Sequence, residues 1–133
     1  MRFMSRYEVR LDEKFRIPLP AKYREAFDAP AHLASRTFGL ERCIAVYTKE
    51  SYDNAAAEID AIPANTTEGR TARRRFFAKT ADSTKDAQGR LMVPPLLREL
   101  VKVNTDVVIL GLGDWFEIWD AAALKEYEEA NPE

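Results

Sequence analysis

Two short stretches of the chain carry the chemistry worth weighing first. Asp12-Glu13-Lys14-Phe15-Arg16 and Asp86-Ala87-Gln88-Gly89-Arg90 each set a carboxylate four residues ahead of a guanidinium. A fixed arginine on a turn can donate to O6 and N7 of guanine, or clamp a phosphate with two parallel bonds. An aspartate that grips the same guanidinium lowers the rotamer entropy lost on binding. It also repels phosphate, so it selects geometry rather than adding raw affinity. The plainer reading is that each Asp–Arg pair only staples its own turn. Lys14 and Lys85 flank the two turns, with Lys22 nearby, and are placed to touch phosphate.

The turns lie inside a longer repeat. Residues 12–25 align with residues 86–99 at an offset of 74, with five of 14 positions identical. A second block, 39–47, aligns with 111–119 at an offset of 72, which places a two-residue length difference in the intervening loop. Each copy is small for independent stability, so the two are expected to pack into one body. In the first copy, Tyr7 to Leu11 alternates as a half-buried strand does, Arg16 to Leu19 is a second short strand, and Pro20 opens a helix through Phe27. A later hairpin, Cys43 to Tyr47, closes the unit. In the second copy the corresponding pieces are Arg90 to Val93, a helix begun by Pro94 and Pro95, and a hairpin of Asp106–Leu110 with Trp115–Trp119. Asp120 caps a terminal helix over 121–130. Gly89 takes a positive φ freely, whereas Phe15 at the matching place does so at a cost. A helix over 49–62 and a basic helix over 68–79 complete the chain. The divisions expected are a first unit with its trailing helix at 1–62, a linking basic helix at 63–80, and a second unit with a C-terminal helix at 81–133.

Several chemistries find no support. His32 reads as a surface loop residue and Cys43, the single cysteine, as a buried inert thiol. No zinc-ligand spacing, Gly-rich phosphate loop or nucleophile elbow is present, so neither an enzyme nor a cofactor is expected. No signal peptide is visible, and the longest apolar run, 107–112, is far short of the roughly 20 residues a membrane span needs. A cytoplasmic protein is therefore expected.

The formal charge of −2, from 20 basic and 22 acidic residues, argues against a polyanion partner until it is divided. Residues 68–102 carry +5 and residues 103–133 carry −7. Two uses are open for Arg70, Arg73, Arg74 and Arg75: a second nucleic-acid contact, or pairing with Glu126, Glu128 and Glu129 in the same or a neighbouring subunit.

The doubled Asp-x-x-x-Arg turn followed by an apolar strand and a proline-led helix resembles the MraZ family of bacterial transcriptional regulators. Tyr7-Glu8-Val9-Arg10-Leu11-Asp12-Glu13-Lys14, Arg74-Arg75-Phe76-Phe77 and Gly113-Asp114-Trp115-Phe116-Glu117-Ile118-Trp119 fit the same family in order and spacing. The resemblance covers about residues 3–128. It implies an α+β fold of two pseudo-symmetric AbrB-like swapped-hairpin units in one barrel-like domain, with peripheral helices. It implies a ring of eight or more copies that binds direct repeats of double-stranded DNA, at the nucleoid, in the promoter of the cell-division and cell-wall gene cluster that includes its own gene. Asp12, Arg16, Asp86 and Arg90 stand where the family meets DNA. The family usually has glycine where this chain has Phe15. The competing expectation is an oligomeric scaffold or protein-interaction module without specific DNA binding.

Overall fold

The computed structural model describes residues 1–132. Among these residues eight strands form two sheets. The larger is antiparallel and six-stranded, in the order β1 (Arg6–Arg10), β7 (Asp106–Gly111), β8 (Trp115–Asp120), β4 (Glu41–Tyr47), β3 (Ala31–Phe38), β5 (Thr80–Ser83). The smaller pairs β2 (Arg16–Pro18) with β6 (Arg90–Met92). A 3-10 helix over Ala21–Phe27 follows β2, and α3 (Pro95–Leu100) follows β6. The remaining helices among these residues are α1 (Lys49–Asp60), α2 (Thr67–Phe76), a 3-10 turn at Phe77–Lys79 that takes the end of the expected basic helix, and α4 (Ala121–Ala130).

The strand order reads the same in either direction once the two copies are exchanged, so a pseudo-two-fold axis runs through the molecule. In β2–β6 the axis passes between Ile17 and Leu91, which are repeat partners and also face each other across the ladder. In the large sheet it passes between Ala45 and Glu117, again both repeat partners and ladder partners. The first strand of each copy pairs with the hairpin of the other: β1 with β7, and β5 with β3. That exchange defines a swapped hairpin. Among the described residues the sheet ends at β1 and β5 without closing, so the expected barrel is an open sheet with the small β2–β6 ribbon beside it.

The core lies between the large sheet and the layer made by β2–β6, the 3-10 helix and α3. Ile17, Leu19, Leu91 and Val93 from the ribbon meet Leu33, Ile44, Val46, Ile109, Phe116 and Ile118 from the sheet, with Tyr23, Phe27 and Leu97 from the helical turns. Phe3, Tyr23, Phe27 and Phe116 touch ring to ring, with centroids 4.9–5.7 Å apart. The Tyr23 hydroxyl donates to the Met4 carbonyl (2.6 Å), and burial pushes its pKa up to about 12. The 3-10 helix, through Tyr23 and Phe27, and α3, through Leu97, are therefore anchored in the apolar centre, and the turns that precede them inherit that rigidity.

Two details differ from the sequence reading. His32 is not in a loop: it lies on β3, with Nδ1 2.6 Å from Asp82 of β5. The two-residue offset is also two changes rather than one. The register places the second copy two residues longer before its hairpin and the hairpin itself four residues shorter. Both hairpins still close with two residues, Gly39-Leu40 and Gly113-Asp114, each led by a glycine at positive φ. The longer β3–β4 arm carries Phe38 and Leu40 out to solvent. No helix among the described residues is long and apolar enough to cross a membrane.

Candidate nucleic-acid interface

Each Asp-x-x-x-Arg turn is built by the aspartate. Asp12 Oδ1 accepts from the backbone N–H of Lys14 (2.8 Å) and of Arg16 (2.9 Å), while Oδ2 accepts from Arg16 Nε (2.8 Å). Asp86 repeats the pattern with Gln88 N–H (2.9 Å), Arg90 N–H (2.9 Å) and Arg90 Nε (2.8 Å). The backbones match too, with Asp12 N–H to Arg16 O and Asp86 N–H to Arg90 O both 2.9 Å. The backbone N–H of the following arginine, ahead of its side chain, holds each carboxyl below the usual aspartate range. Both carboxylates therefore stay charged at neutral pH.

The pseudo-axis brings the turns together. Arg16 Nη1 lies 3.7 Å from Asp86 Oδ2, and Arg90 Nη1 lies 4.0 Å from Asp12 Oδ2. Two more backbone bonds tie turn to turn: Leu19 N–H to Gly89 O (2.9 Å) and Val93 N–H to Phe15 O (2.8 Å). The four side chains keep 25–32% of their surface exposed. In each guanidinium Nε is committed to its aspartate, and the Nη edge faces the axis and solvent. That edge carries the donors for a bidentate acceptor such as guanine or phosphate.

The flanking lysines divide. Lys14 is exposed beside its turn, whereas Lys85 donates to the Arg24 carbonyl (2.7 Å) and pairs with Asp28 (2.8 Å). Lys22 is exposed at the start of the 3-10 helix. Among the described residues no ion pair joins the basic helix to the acidic tail. Arg73 donates to the carbonyls of Ile62 and Gly69, Arg70 to that of Ala64, and Arg75 lies over the Phe38 ring at 5.7 Å. Of the acidic tail, Glu128 docks instead on Arg6 of β1 through two bonds of 2.9 and 3.1 Å.

Sequence reasoning missed Arg24 and Arg98. They are repeat partners on the helical turns, and they lie against the tips of opposite turns. Arg24 Nε donates to the Leu19 carbonyl (3.1 Å), and a Cβ on Gly89 would stand 2.5 Å from that nitrogen. At the other turn Phe15 occupies the equivalent place at φ +59°, and the Arg98 guanidinium lies 3.9 Å from its ring centroid. The signal was available: Arg24 and Arg98 are identical positions of the aligned repeat.

The nearest thing to a metal cluster is Glu41, Cys43 and Glu117, whose ligand atoms lie within 4.8 Å of one another. Glu117 Oε1 already accepts from Trp119 Nε1 (2.9 Å), and burial pushes the Cys43 thiol far up, away from the thiolate a metal needs. It therefore reads as packing.

Two copies of one unit that swap strands across a pseudo-two-fold axis, each supplying one Asp–Arg turn to a shared surface, define a tandem swapped-hairpin protein. The family described as "MraZ protein, putative antitoxin-like" matches the chain twice, over residues 2–75 and 76–133. The chain is 34% identical over 131 residues to the "Transcriptional regulator MraZ" of Cutibacterium acnes, covering 98% of this chain and 90% of that protein. It is 36% identical to the protein of that name from Arthrobacter sp. (94% of this chain, 86% of that one) and 35% identical to that from Lactiplantibacillus plantarum (95% and 87%). The chain belongs to the MraZ family.

Proposed function

We propose that this chain is a transcriptional regulator that reads double-stranded DNA with the paired turns. The observation that carries the reading is the pairing itself: Arg16 and Arg90 are each gripped at Nε by their own aspartate and converge on one pseudo-axis. The relatives named as transcriptional regulators support the role. Nη1 and Nη2 of each arginine donate to O6 and N7 of guanine while Nε stays on aspartate. Both guanidinium groups lie beside the same two carboxylates, so they address one short stretch of groove. Lys14 adds a phosphate contact, and Lys85 adds another on leaving the exposed carboxylate of Asp28.

Within the four-residue cluster the two aspartates cancel the two arginines, so one copy of the surface binds weakly. Affinity comes from number. A ring of copies presents the turns repeatedly to direct repeats, as in the promoter of a cell-division and cell-wall gene cluster, and linked sites raise avidity by about 10²–10⁴.

The test is binding to the DNA upstream of the chain's own gene, titrated with salt beside a random duplex of equal length. The proposal expects preference for the upstream DNA and log K falling by about 0.9 for each phosphate neutralised against log salt. Equal affinity for both duplexes overturns it and leaves the scaffold reading.

A further inference from the structure

The two halves of the proposed DNA surface are not equivalent. At the second turn the tip is Gly89, and Arg24 is locked over it onto the Leu19 carbonyl. At the first turn the tip is Phe15, 40% exposed, with Arg98 stacked on its ring. Arg98 Nε has lost the carbonyl bond its partner makes and is buried without a hydrogen-bond acceptor among the described residues. The neighbours differ in the same sense. Met92, the ladder partner of Arg16, is 42% exposed, and Leu96 at the start of α3 is 39% exposed. Their repeat counterparts are Pro18 and Lys22. The first half thus exposes Phe15, Met92 and Leu96 where the second has Gly89, Pro18 and Lys22.

A large residue at φ +59° is strained, since left-handed backbone brings Cβ against the carbonyl. Gly89 shows that the turn is made without it. The turn fixes its backbone and the guanidinium covers one face of the ring, so what stays exposed is an apolar probe beside Arg16. Of the groups a base offers in the major groove, the one that suits an apolar ring is the 5-methyl of thymine.

We propose that Phe15, clamped by Arg98, is a specificity-determining residue that reads a thymine methyl next to the base read by Arg16. This inference rests on the DNA-binding reading above. It gives the pseudo-symmetric surface a direction: a symmetric head accepts a site in either orientation, whereas an apolar probe on one side only accepts one. Binding to direct rather than inverted repeats requires such polarity in each subunit.

The experiment uses the full chain and duplexes of its upstream DNA in which single thymines are replaced by deoxyuridine, which removes only the methyl. Phe15→Gly is the companion variant, because Gly89 shows the turn accepts glycine. The parent is expected to lose about three- to fivefold in affinity at one thymine of each repeat, the effect of one methyl group left in water. Phe15→Gly is expected to bind the unmodified duplex about that much more weakly and to be indifferent to the same replacement. A parent indifferent to every replacement, while Arg16→Ala abolishes binding, overturns the inference and leaves the DNA reading intact. A Phe15→Gly protein of altered native mass makes the ring a subunit contact and overturns it too. A parent with no preference for the upstream DNA removes both.

Discussion

At the scale of single residues, each aspartate acts as a small scaffold. It accepts two backbone N–H groups and one guanidinium N–H, so it shapes the turn and aims the arginine with the same two oxygens. Its depressed pKa has a definite sign. The unfolded chain takes up these protons at higher pH than the folded one, so the stabilisation is present above the ordinary aspartate pKa of about 3.9 and is lost as pH falls through the lower folded values. Thermal melts should be insensitive to these two groups between pH 5 and 8, and an Asp12→Asn/Asp86→Asn double variant should lose less stability than the parent below about pH 4. An equal acid loss in both proteins contradicts the assignment. The turn tips give a second expectation. Gly89→Ala strains a residue at φ +75° and displaces Arg24 from the Leu19 carbonyl, costing about 1–3 kcal/mol in denaturant unfolding. Phe15→Gly relieves left-handed strain but loses the stacked cation and loosens the unfolded chain, terms of about 1 kcal/mol each and opposed in sign. Its net effect should be within about 1 kcal/mol.

At the scale of elements, capping and crossing decide where the helices sit. Thr48 and Ser51 form a capping box at the start of α1, so Thr48→Ala should cost about 1 kcal/mol in denaturant unfolding. A change below a few tenths contradicts the cap's role. Gly69 is where α2 packs on the linker that follows α1: a Cβ there would stand 2.0 Å from the Pro63 carbonyl oxygen. Most of the elements were legible because proline, glycine and strict alternation mark them. Tyr7 to Leu11, Pro20, Pro94 with Pro95, and Asp120 each announced a boundary close to the one observed. Two strands did not announce themselves. β5, Thr-Ala-Asp-Ser, is short and polar, and takes strand form because β3 offers its free edge. β3, Ala-His-Leu-Ala-Ser-Arg-Thr-Phe, is poor in β-branched residues and exists through pairing on both sides. Pairing partners distant in sequence supply what local propensity lacks. In the candidate site, spacing revealed Asp12, Arg16, Asp86 and Arg90. It did not reveal that they meet at one axis, which depends on β2 pairing with β6 in register.

At the scale of the whole molecule, the swap makes the two copies interdependent. β1 has its ladder with the second copy and β5 with the first. A chain ending after residue 76 should therefore be unfolded, or fold only as a dimer that restores both ladders. Circular dichroism with native mass distinguishes these, and a folded monomer contradicts the topology. The net charge of −2 conceals a distribution in which Glu128 of the acidic tail is docked on Arg6, away from the paired turns. The central claim is that Arg16 and Arg90 read bases through a planar two-donor edge. Lysine keeps the charge and loses that edge. The most direct measurement is the ratio of affinities for upstream and random DNA in an Arg16→Lys/Arg90→Lys variant of unchanged native mass. Discrimination should fall by about 1–3 kcal/mol per arginine, with binding to random DNA and its salt slope nearly preserved. A variant that discriminates as well as the parent contradicts that claim.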